Sequence, residues 1–246
     1  MCKVMGIVNV TPDSVSDGGQ FFKPEEAIRR AKNLIADGAD IIDLGGESTR
    51  PGATPISWEK EWSRIETVLR DLASEVSRLK SFQVSIDTYH PETAKRAIAA
   101  GAHIINCVYA EPIPEMLKLL EGNDVELVIP YRLGGEDLRR ETEDASLASR
   151  LYLDPMIGFG TTREEDVELL RSIPELAKKG RVLIGASRKR IVKKLVGEKS
   201  AVGKNVGGNV AIAVWAAMNG ASVVRVHDVK ETVQAMRVVE SLKFKV

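Results

Sequence analysis

Eight short apolar segments alternate along the chain with longer segments whose apolar residues recur every three or four positions. The short segments, which we interpret as strands, are residues 4–8, 41–44, 83–86, 104–105 with their flanks, 125–129, 151–153, 182–185 and 223–226. The helical period is clearest after the second strand, where one helix face carries Trp58, Trp62, Ile65, Leu69, Leu72 and Val76. This alternation predicts parallel strands that are joined by crossover helices.

Eight strand–helix units close into a barrel more naturally than they form an open sheet, and the length of 246 residues matches the roughly 250 of such barrels. We therefore predict an α/β fold, a single (β/α)8 TIM barrel. One connection is shortened: between strands five and six, residues 132–150 leave room for only a short, highly charged helix. No linker or low-complexity segment interrupts the pattern, so residues 1–246 are predicted to form a single domain.

The overall charge argues against a polyanionic partner. Basic and acidic residues balance at 35 each, so no bulk field draws the protein to nucleic acid or to an anionic membrane. The two cysteines, Cys2 and Cys107, lie far apart without metal-type spacing, which is typical of a reducing compartment. With no signal-peptide pattern and no apolar run of about 20 residues, we expect a cytoplasmic protein that acts on small molecules.

Polar residues follow the predicted strands at their carboxyl ends, and active sites of α/β barrels are built at that end. Seven of the eight strands deliver such groups, strand five being the exception, and the residues at these ends include Asn9, Asp87, Asn106, Asp154, Ser187, Lys189, Arg225 and His227. The second strand runs into GGESTRPGA at residues 45–53. Convergence of these groups on one barrel mouth predicts a single site.

Each of these residues also has a purely structural interpretation. Asp87 and Asp154 could cap the helices that follow them, and Asn106 could bond its own backbone in a turn. The basic run around Lys189 could be a solvated surface patch, and His227 a hydrogen-bonded core residue. Only their shared position at one end of the barrel favours the functional interpretation.

The residue types indicate a particular chemistry. Two buried carboxylates and an amide can bind a flat heterocycle with adjacent N–H donors, such as a 2-amino-4-oxo ring, and a neighbouring lysine would meet its carbonyl oxygen or nitrogen. Asn9, Arg225 and His227 together suit a phosphate-type anion, and the amide oxygen of Asn9 suits a hard cation such as Mg²⁺. A heterocycle pocket beside an anion pocket is predicted.

Seven motifs along nearly the whole chain, in family order, resemble the dihydropteroate synthase family: GIVNVTPDSVSDGG, DIIDLGGESTRPGA, VSIDTYHPETA, GAHIIN, LDPMIGFG, IGASRKR and RVHDVKET. The first two are highly specific. The resemblance implies a TIM barrel with Mg²⁺ that condenses 6-hydroxymethyl-7,8-dihydropterin diphosphate with 4-aminobenzoate and releases diphosphate. Family members commonly dimerise through the side of the barrel that carries the apolar helix predicted at residues 209–220, so the resemblance also implies a homodimer.

The resemblance also assigns residues to the two substrates. The pterin pocket takes Asp87, Asn106, Asp154 and Lys189. The diphosphate takes Asn9, Arg225 and His227, with Asn9 also on the metal. The 4-aminobenzoate pocket takes Thr49, Arg50, Pro51, Phe159 and Arg190. The residues expected to act in catalysis are Asp17, Lys189 and Arg225. Whether Asp17 stabilises a cation at the reacting methylene or accepts the amine proton is left open by the sequence.

Several positions depart from the family pattern. Val15 stands where the family usually has a phenylalanine that contacts aminobenzoate, and Cys107 replaces the aspartate after Asn106. Met156 and Thr161 replace the glycine and lysine of the usual DPGxGFGK. Strand five lacks the family's Met-His pair. These changes concern the second-substrate pocket and one barrel wall rather than the residues that read the pterin.

Two alternative functions are each compatible with part of the sequence. A methyltetrahydrofolate:corrinoid methyltransferase would share the barrel and the pterin-reading residues, but that family lacks the NVTPDS, SRK and RVHD motifs. A non-catalytic pterin-binding paralogue is suggested by the changes in strand five. Retention of Asn9, Arg50, Arg225 and His227 argues against it, because a pure binder needs no leaving-group site.

Overall fold

The strands form one closed barrel in which every strand is parallel to its neighbours and pairs with them in chain order. The computed structural model describes residues 2–11, 23–48, 53–79, 82–133, 145–197 and 205–243. The strands are β1 (Lys3–Asn9), β2 (Ile41–Gly45), β3 (Gln83–Asp87), β4 (Ile104–Asn106), β5 (Glu126–Pro130), β6 (Leu151–Asp154), β7 (Arg181–Ile184) and β8 (Val223–Val226). The predicted TIM barrel is confirmed.

Helices cover the outside of the barrel. They are α1 (Pro24–Ala36), α2 (Trp58–Leu79), α3 (Pro91–Ala99), α4 (Ile113–Leu120), α5 (Ala145–Ala148), α6 (Arg163–Arg171), α7 (Ile173–Ala177), α8 (Arg190–Val196), α9 (Val206–Met218) and α10 (Val229–Lys243). The short α5 agrees with the predicted shortened connection, most of which lies outside the described residues. In the described ranges, no helix combines the length and the hydropathy that a membrane crossing requires.

Alternate residues of each strand face the inside of the barrel, as the two-residue period of a strand requires. A separate buried cluster fills the interior: Met5, Ile41, Ile104, Val128, Tyr152, Leu183 and Val223. The intervening residues pack outward against the helices in the larger core. Gly6 belongs to the outward set, and a Cβ there would lie 3.0 Å from both Leu34 and Val229. Its lack of a side chain therefore lets α1 and α10 approach β1.

Strand register aligns the predicted site residues at one rim. Asn9 pairs with Gly45, Gly45 with Asp87, and Asp87 with Asn106, across four neighbouring strands. Farther round the barrel, Pro130 pairs with Asp154. All of these are final residues of their strands, so the barrel brings together groups that are far apart in sequence.

Candidate active site

Arg225 lies at the centre of the barrel mouth and joins two carboxylates. Its Nε donates to Asp43 Oδ2 and its Nη2 donates to Asp87 Oδ2, both at 2.6 Å. Asn106 Nδ2 donates to the same Asp43 oxygen at 3.3 Å. Four strands, β2, β3, β4 and β8, thus contribute to one network, and each partner fixes the orientation of the others.

This network holds two carboxylates around one guanidinium, and the pKa of Asp87 is perturbed there. That pKa is raised to about 7, chiefly by burial and also by the neighbouring charge of Asp43, while Arg225 acts against the rise. Burial by itself would lower the pKa of Arg225, but Asp43 and Asp87 hold it above its usual range. Arg225 therefore stays charged, and Asp87 is the group whose protonation changes near neutral pH.

Asp154 and Lys189 form a second pair on the opposite side of the mouth. Asp154 Oδ1 accepts from the backbone N–H of Met156 at 2.7 Å, and Lys189 Nζ donates to the carbonyl of Ile157 at 2.6 Å. Burial lowers the pKa of Lys189 to about 8 although the charge of Asp154 acts against this. Burial also raises the pKa of Asp154, opposed by Lys189. The lysine keeps its proton at pH 7 and loses it only slightly above.

Met156 occupies a backbone conformation that suits the glycine of the family pattern. Its φ is +63°, in the left-handed region that costs a non-glycine residue roughly 1–2 kcal/mol. Its N–H nevertheless makes the bond to Asp154, and its side chain is buried. The substitution is thus accommodated at the cost of local strain, and the turn that orients Asp154 is kept.

His227 is neutral at physiological pH. Its pKa is lowered to about 3, chiefly by burial and also by the nearby charges of Arg188 and Arg225. Ser187 Oγ accepts from the backbone N–H of His227 at 3.2 Å and lies 3.1 Å from the ring Nδ1. Since that hydroxyl already accepts one bond, it can donate its own proton to Nδ1, which leaves the ring proton on Nε2 as a donor for an anion.

Asn9 ends β1 with an exposed side chain beside this network. A Cβ placed on Gly45 would come within 3.8 Å of both Asn9 Oδ1 and Asp87 Oδ2, so the glycine separates the predicted anion residue from the predicted pterin residue. Within the described ranges, no group of three or more histidine, cysteine, aspartate or glutamate side chains is arranged to hold a metal. A single amide oxygen suits a Mg²⁺ ion whose other ligands are substrate phosphates and waters.

The predicted 4-aminobenzoate residues are described only in part. Phe159 lies with its ring 4.4 Å from Lys189 Nζ, which brings it to the edge of the pterin side. Arg190 Nε lies 3.6 Å from Asp166 Oδ2, and Thr161, which stands at the family's lysine position, donates to Asp166 Oδ1 at 2.5 Å. The other predicted residues, Asp17, Thr49, Arg50 and Pro51, lie outside the described residues.

Asp43 is a member of the network that the sequence analysis missed. It is fully buried within β2, and a charged residue in the apolar strand IIDLG, two positions before the rim residue Gly45, was the signal that could have revealed it. Among the described residues, its Oδ1 and the Oδ1 of Asn106 are buried acceptors without a hydrogen-bond partner. Each unpaired acceptor of this kind costs about 1–3 kcal/mol. Another one lies at Glu61 Oε1, but Asp43 and Asn106 belong to the network at the barrel mouth, where a bound ligand can bring donors to them.

Comparison with known proteins identifies the relatives of this chain. The family model for pterin binding enzyme matches residues 5–133 and 135–227. Dihydropteroate synthase of Staphylococcus haemolyticus is 34% identical, with 98% of this chain and 95% of the relative covered, and that of Escherichia coli K12 is 36% identical, with 97% and 90% covered.

Solved structures give the same result. The dihydropteroate synthase of Xanthomonas albilineans with 4-aminobenzoic acid superposes with a TM-score of 0.87 at 36% identity, and covers 100% of this chain and 94% of its own. The same enzyme in complex with 7,8-dihydropteroate gives a TM-score of 0.82 at 31% identity, with 100% and 95% covered. Both likenesses extend over the whole barrel.

Proposed function

This chain belongs to the pterin-binding enzyme family and within it to the dihydropteroate synthases, and on that premise we propose how its barrel mouth carries out their reaction. It is a transferase of folate biosynthesis: it condenses 6-hydroxymethyl-7,8-dihydropterin diphosphate with 4-aminobenzoate to give 7,8-dihydropteroate and diphosphate.

The pterin ring binds in the network around Arg225. The observation that carries this assignment is the pair of buried acceptors without a described partner, Asn106 Oδ1 and Asp43 Oδ1. A 2-amino-4-oxo ring presents adjacent N–H groups that such acceptors can satisfy, and the carboxylates of Asp87 and Asp154 supply further acceptors at the same mouth. Asp43 thereby joins the three acceptor residues that the sequence predicted.

Lys189 supplies the donor that the ring needs. Its ammonium lies at the carbonyl of Ile157 and near the ring of Phe159, so it reaches the pocket between Asp154 and the second-substrate side. A carbonyl oxygen or ring nitrogen of the pterin accepts from it. Donor and acceptors on opposite walls fix both the position and the orientation of the ring.

The diphosphate lies on the rim, where Asn9 and His227 provide neutral donors and Arg225 a positive field. In the tautomer that carries its proton on Nε2, the neutral imidazole of His227 donates to a phosphate oxygen without first gaining a proton. Mg²⁺, bound by Asn9 and by the diphosphate itself, would supply positive charge that neutralises the leaving group. The nucleophile is an amine that needs no activating base.

The remaining residues receive the second substrate. We assign Thr49, Arg50, Pro51, Phe159 and Arg190 to the 4-aminobenzoate pocket. The electron-rich pterin can carry a developing positive charge at its methylene as the diphosphate leaves, and the amine then forms the new C–N bond and loses a proton. Asp17 either stabilises that cation or accepts the proton.

A coupled assay of diphosphate release tests the function. Purified protein with Mg²⁺ and the dihydropterin diphosphate is expected to release diphosphate only when 4-aminobenzoate is present, with dihydropteroate formed. Release without coupling would mean that the pterin half of the site works but that the acceptor is something other than 4-aminobenzoate. Tight pterin binding without any release would instead favour the non-catalytic paralogue or the methyltransferase.

Three variants test the division of roles. Lys189→Ala and Asp154→Ala each remove a hydrogen bond to the pterin that involves a charge, and should raise the Kd of the dihydropterin diphosphate by about 100-fold. Asp17→Ala should slow turnover and leave that Kd largely unchanged. Isothermal calorimetry without 4-aminobenzoate measures all three. Equal loss of binding in the three variants would contradict the assignment.

The metal is tested by removal. Chelation with EDTA should abolish turnover, and added Mg²⁺ should restore it. Asn9→Ala should raise the Mg²⁺ concentration needed for half-maximal rate, because one of the oxygen ligands is lost. A magnesium requirement unchanged in this variant would remove Asn9 from the metal.

We further propose a cytoplasmic homodimer that is joined through α9. Trp215 and Met218 of this helix are 51% and 58% exposed, although the helix is apolar on almost every side, and a second copy of the barrel would cover them. In the part of the chain that the structure describes, Cys2 and Cys107 are not joined in a disulfide, which fits a reducing compartment. Light scattering should give twice the chain mass, and Trp215→Lys should give the monomer.

A further inference from the structure

One polar side chain is buried in the apolar helix α9. Asn209 is only 3% exposed, and both ends of its amide are used. Its Oδ1 accepts from the backbone N–H of Arg188 at 2.9 Å, and its Nδ2 donates to Asp228 Oδ2 at 2.8 Å. The pairing leaves only one orientation of the amide, because only the nitrogen can donate to a carboxylate.

Asn209, Arg188 and Asp228 form a closed triangle of hydrogen bonds. The third side is the bond from Arg188 Nη2 to Asp228 Oδ1 at 2.6 Å. Each oxygen of the buried Asp228 therefore accepts one bond, and Arg188 is held by its backbone and by its side chain. The triangle joins α9, the turn after β7 and the residue before α10, three parts of the chain that local sequence does not connect.

The turn that this triangle holds is strained. Arg188 has a φ of +59°, a left-handed conformation that costs a residue with a side chain roughly 1–2 kcal/mol. Such a conformation persists only where the surroundings impose it. The backbone N–H of the strained Arg188 donates to Asn209 Oδ1. Asn209 is therefore the side chain that stabilises the backbone of this turn.

The same turn lies between two residues of the proposed site. Ser187 precedes Arg188, and its Oγ contacts both the backbone N–H and the ring Nδ1 of His227. Lys189, on the other side, extends its ammonium to the carbonyl of Ile157. The direction of both side chains depends on the backbone angles of Arg188.

We propose that Asn209 is a positioning residue: it fixes the left-handed turn at Arg188 and thereby places Lys189 against the pterin and Ser187 against His227 at the diphosphate. It touches neither substrate. This inference rests on the proposed assignment of Lys189 and His227 to the two parts of the dihydropterin diphosphate.

Exchange of the two polar partners provides the sharpest test. Asn209→Asp keeps the acceptor for Arg188 but brings a second carboxylate against Asp228 with no proton between them. It should raise the Kd of the dihydropterin diphosphate at least about 10-fold, because a misplacement of about 1 Å in a catalytic site can cost up to 100-fold. The double variant Asn209→Asp with Asp228→Asn restores a donor facing an acceptor, and should return the Kd to within threefold of the wild-type value.

Asn219→Asp is the matched control, since Asn219 caps the carboxyl end of the same helix. Its side-chain Nδ2 donates to the carbonyl of Trp215, within the helix itself. This control variant should leave the Kd unchanged. In the Asn209→Asp variant the KM for 4-aminobenzoate should stay within twofold of wild type while the Kd of the dihydropterin diphosphate rises. A general loss of packing would change both values. Should that variant not fold, Asn209→Ala removes both bonds without a new charge and carries the same expectation.

Two results would overturn the inference: a folded Asn209→Asp protein with wild-type Kd, or a folded double variant that binds no better than the single one. Failure of the proposed function has a different signature. In that case the wild-type protein makes no dihydropteroate, or Lys189→Ala binds the dihydropterin diphosphate as well as wild type does.

Discussion

Asp87 combines a cost in folding with its proposed role in binding the pterin. Its carboxyl is held in a buried site next to Asp43, and its pKa is raised from 3.8 to about 7 in the folded protein. A raised folded-state pKa means that the carboxyl contributes stability below pH 3.8 that is lost as the pH rises through about 7. Near neutral pH the charged carboxylate of Asp87 thus lowers the free energy of unfolding. Functional sites commonly carry such a cost in stability.

Asp87→Asn should remove this pH-dependent loss. The amide oxygen can still accept from Arg225, but the side chain no longer titrates, so the free energy of unfolding should decline less between pH 4 and pH 7 than in the wild type. Binding of the pterin should be lost in the same variant. Urea unfolding at several pH values measures the first effect, with Asp124→Asn, an exposed aspartate, as the control. Parallel pH profiles for Asp87→Asn and wild type would contradict the prediction.

Lys189 predicts a second pH effect, on catalysis. Because burial lowers its pKa to about 8, the ammonium that we propose as a donor to the pterin is present at pH 7 and is lost as the pH rises through about 8. The value of kcat/KM for the dihydropterin diphosphate, which reports groups of the free enzyme, should fall above that pH.

Lys189→Arg keeps its charge throughout this range, so the fall in kcat/KM near pH 8 should disappear, whatever the value at pH 7. Lys178→Arg, a change at an exposed lysine, should retain the wild-type profile. A fall near pH 8 that persists in Lys189→Arg would assign the titration to another group.

Two adjacent glycines at the end of β2 serve different purposes. A Cβ at Gly46 would lie 2.9 Å from both Glu61 and Ile65 of α2, whereas one at Gly45 would make ordinary contacts with Asp87 and Asn9. Gly45 therefore leaves space open at the barrel mouth. Gly46 lets α2 pack closely against the sheet.

The pair Gly45→Ala and Gly46→Ala should separate stability from activity. Gly46→Ala forces α2 away and should lower the free energy of unfolding by about 1–3 kcal/mol. Gly45→Ala should fold with nearly wild-type stability but bind the dihydropterin diphosphate more weakly, since the methyl group lies between the pterin and diphosphate residues. Chemical denaturation and calorimetry measure the two effects. A stable Gly46→Ala protein would show that α2 moves freely.

The barrel as a whole divides into a filled interior and a polar mouth. The interior cluster around Leu183 lies on the same inward-facing positions as the site residues, but farther toward the start of each strand. Stability and chemistry thus occupy successive layers of one barrel, as in other barrels of this architecture.

Leu183→Ala should weaken the packing of the barrel interior and leave the polar mouth unchanged. A fully buried leucine that is replaced by alanine loses about 2–5 kcal/mol, so the midpoint of urea unfolding should fall clearly. The Kd for the dihydropterin diphosphate, measured well below that midpoint, should remain near the wild-type value. Leu242→Ala, at a position that is 75% exposed, is the control. A large change in Kd would show that the two layers are coupled.

The sequence by itself determined the barrel and predicted most of the polar residues that the structure brings together at its mouth. Short apolar runs of the right length predicted every strand to within one residue at each end, because a buried parallel strand leaves a continuous apolar signature. Asp87, Asn106 and Asp154 were found because strand ends are marked by an abrupt change to polar residues. The residues of the second loop, Thr49, Arg50 and Pro51, stay predictions.

Only the tertiary structure decided how these groups act on one another. The role of Asp43 was not predicted, because a strand pattern does not indicate which buried carboxylate bonds to Arg225 of β8, 182 residues away in sequence. Asn209 was missed because its partners lie on two other elements, and a lone polar residue in an apolar helix does not reveal which groups it bonds. Periodicity is a property of neighbours in sequence, whereas hydrogen-bond pairing and pKa depend on distances that arise only when the barrel closes.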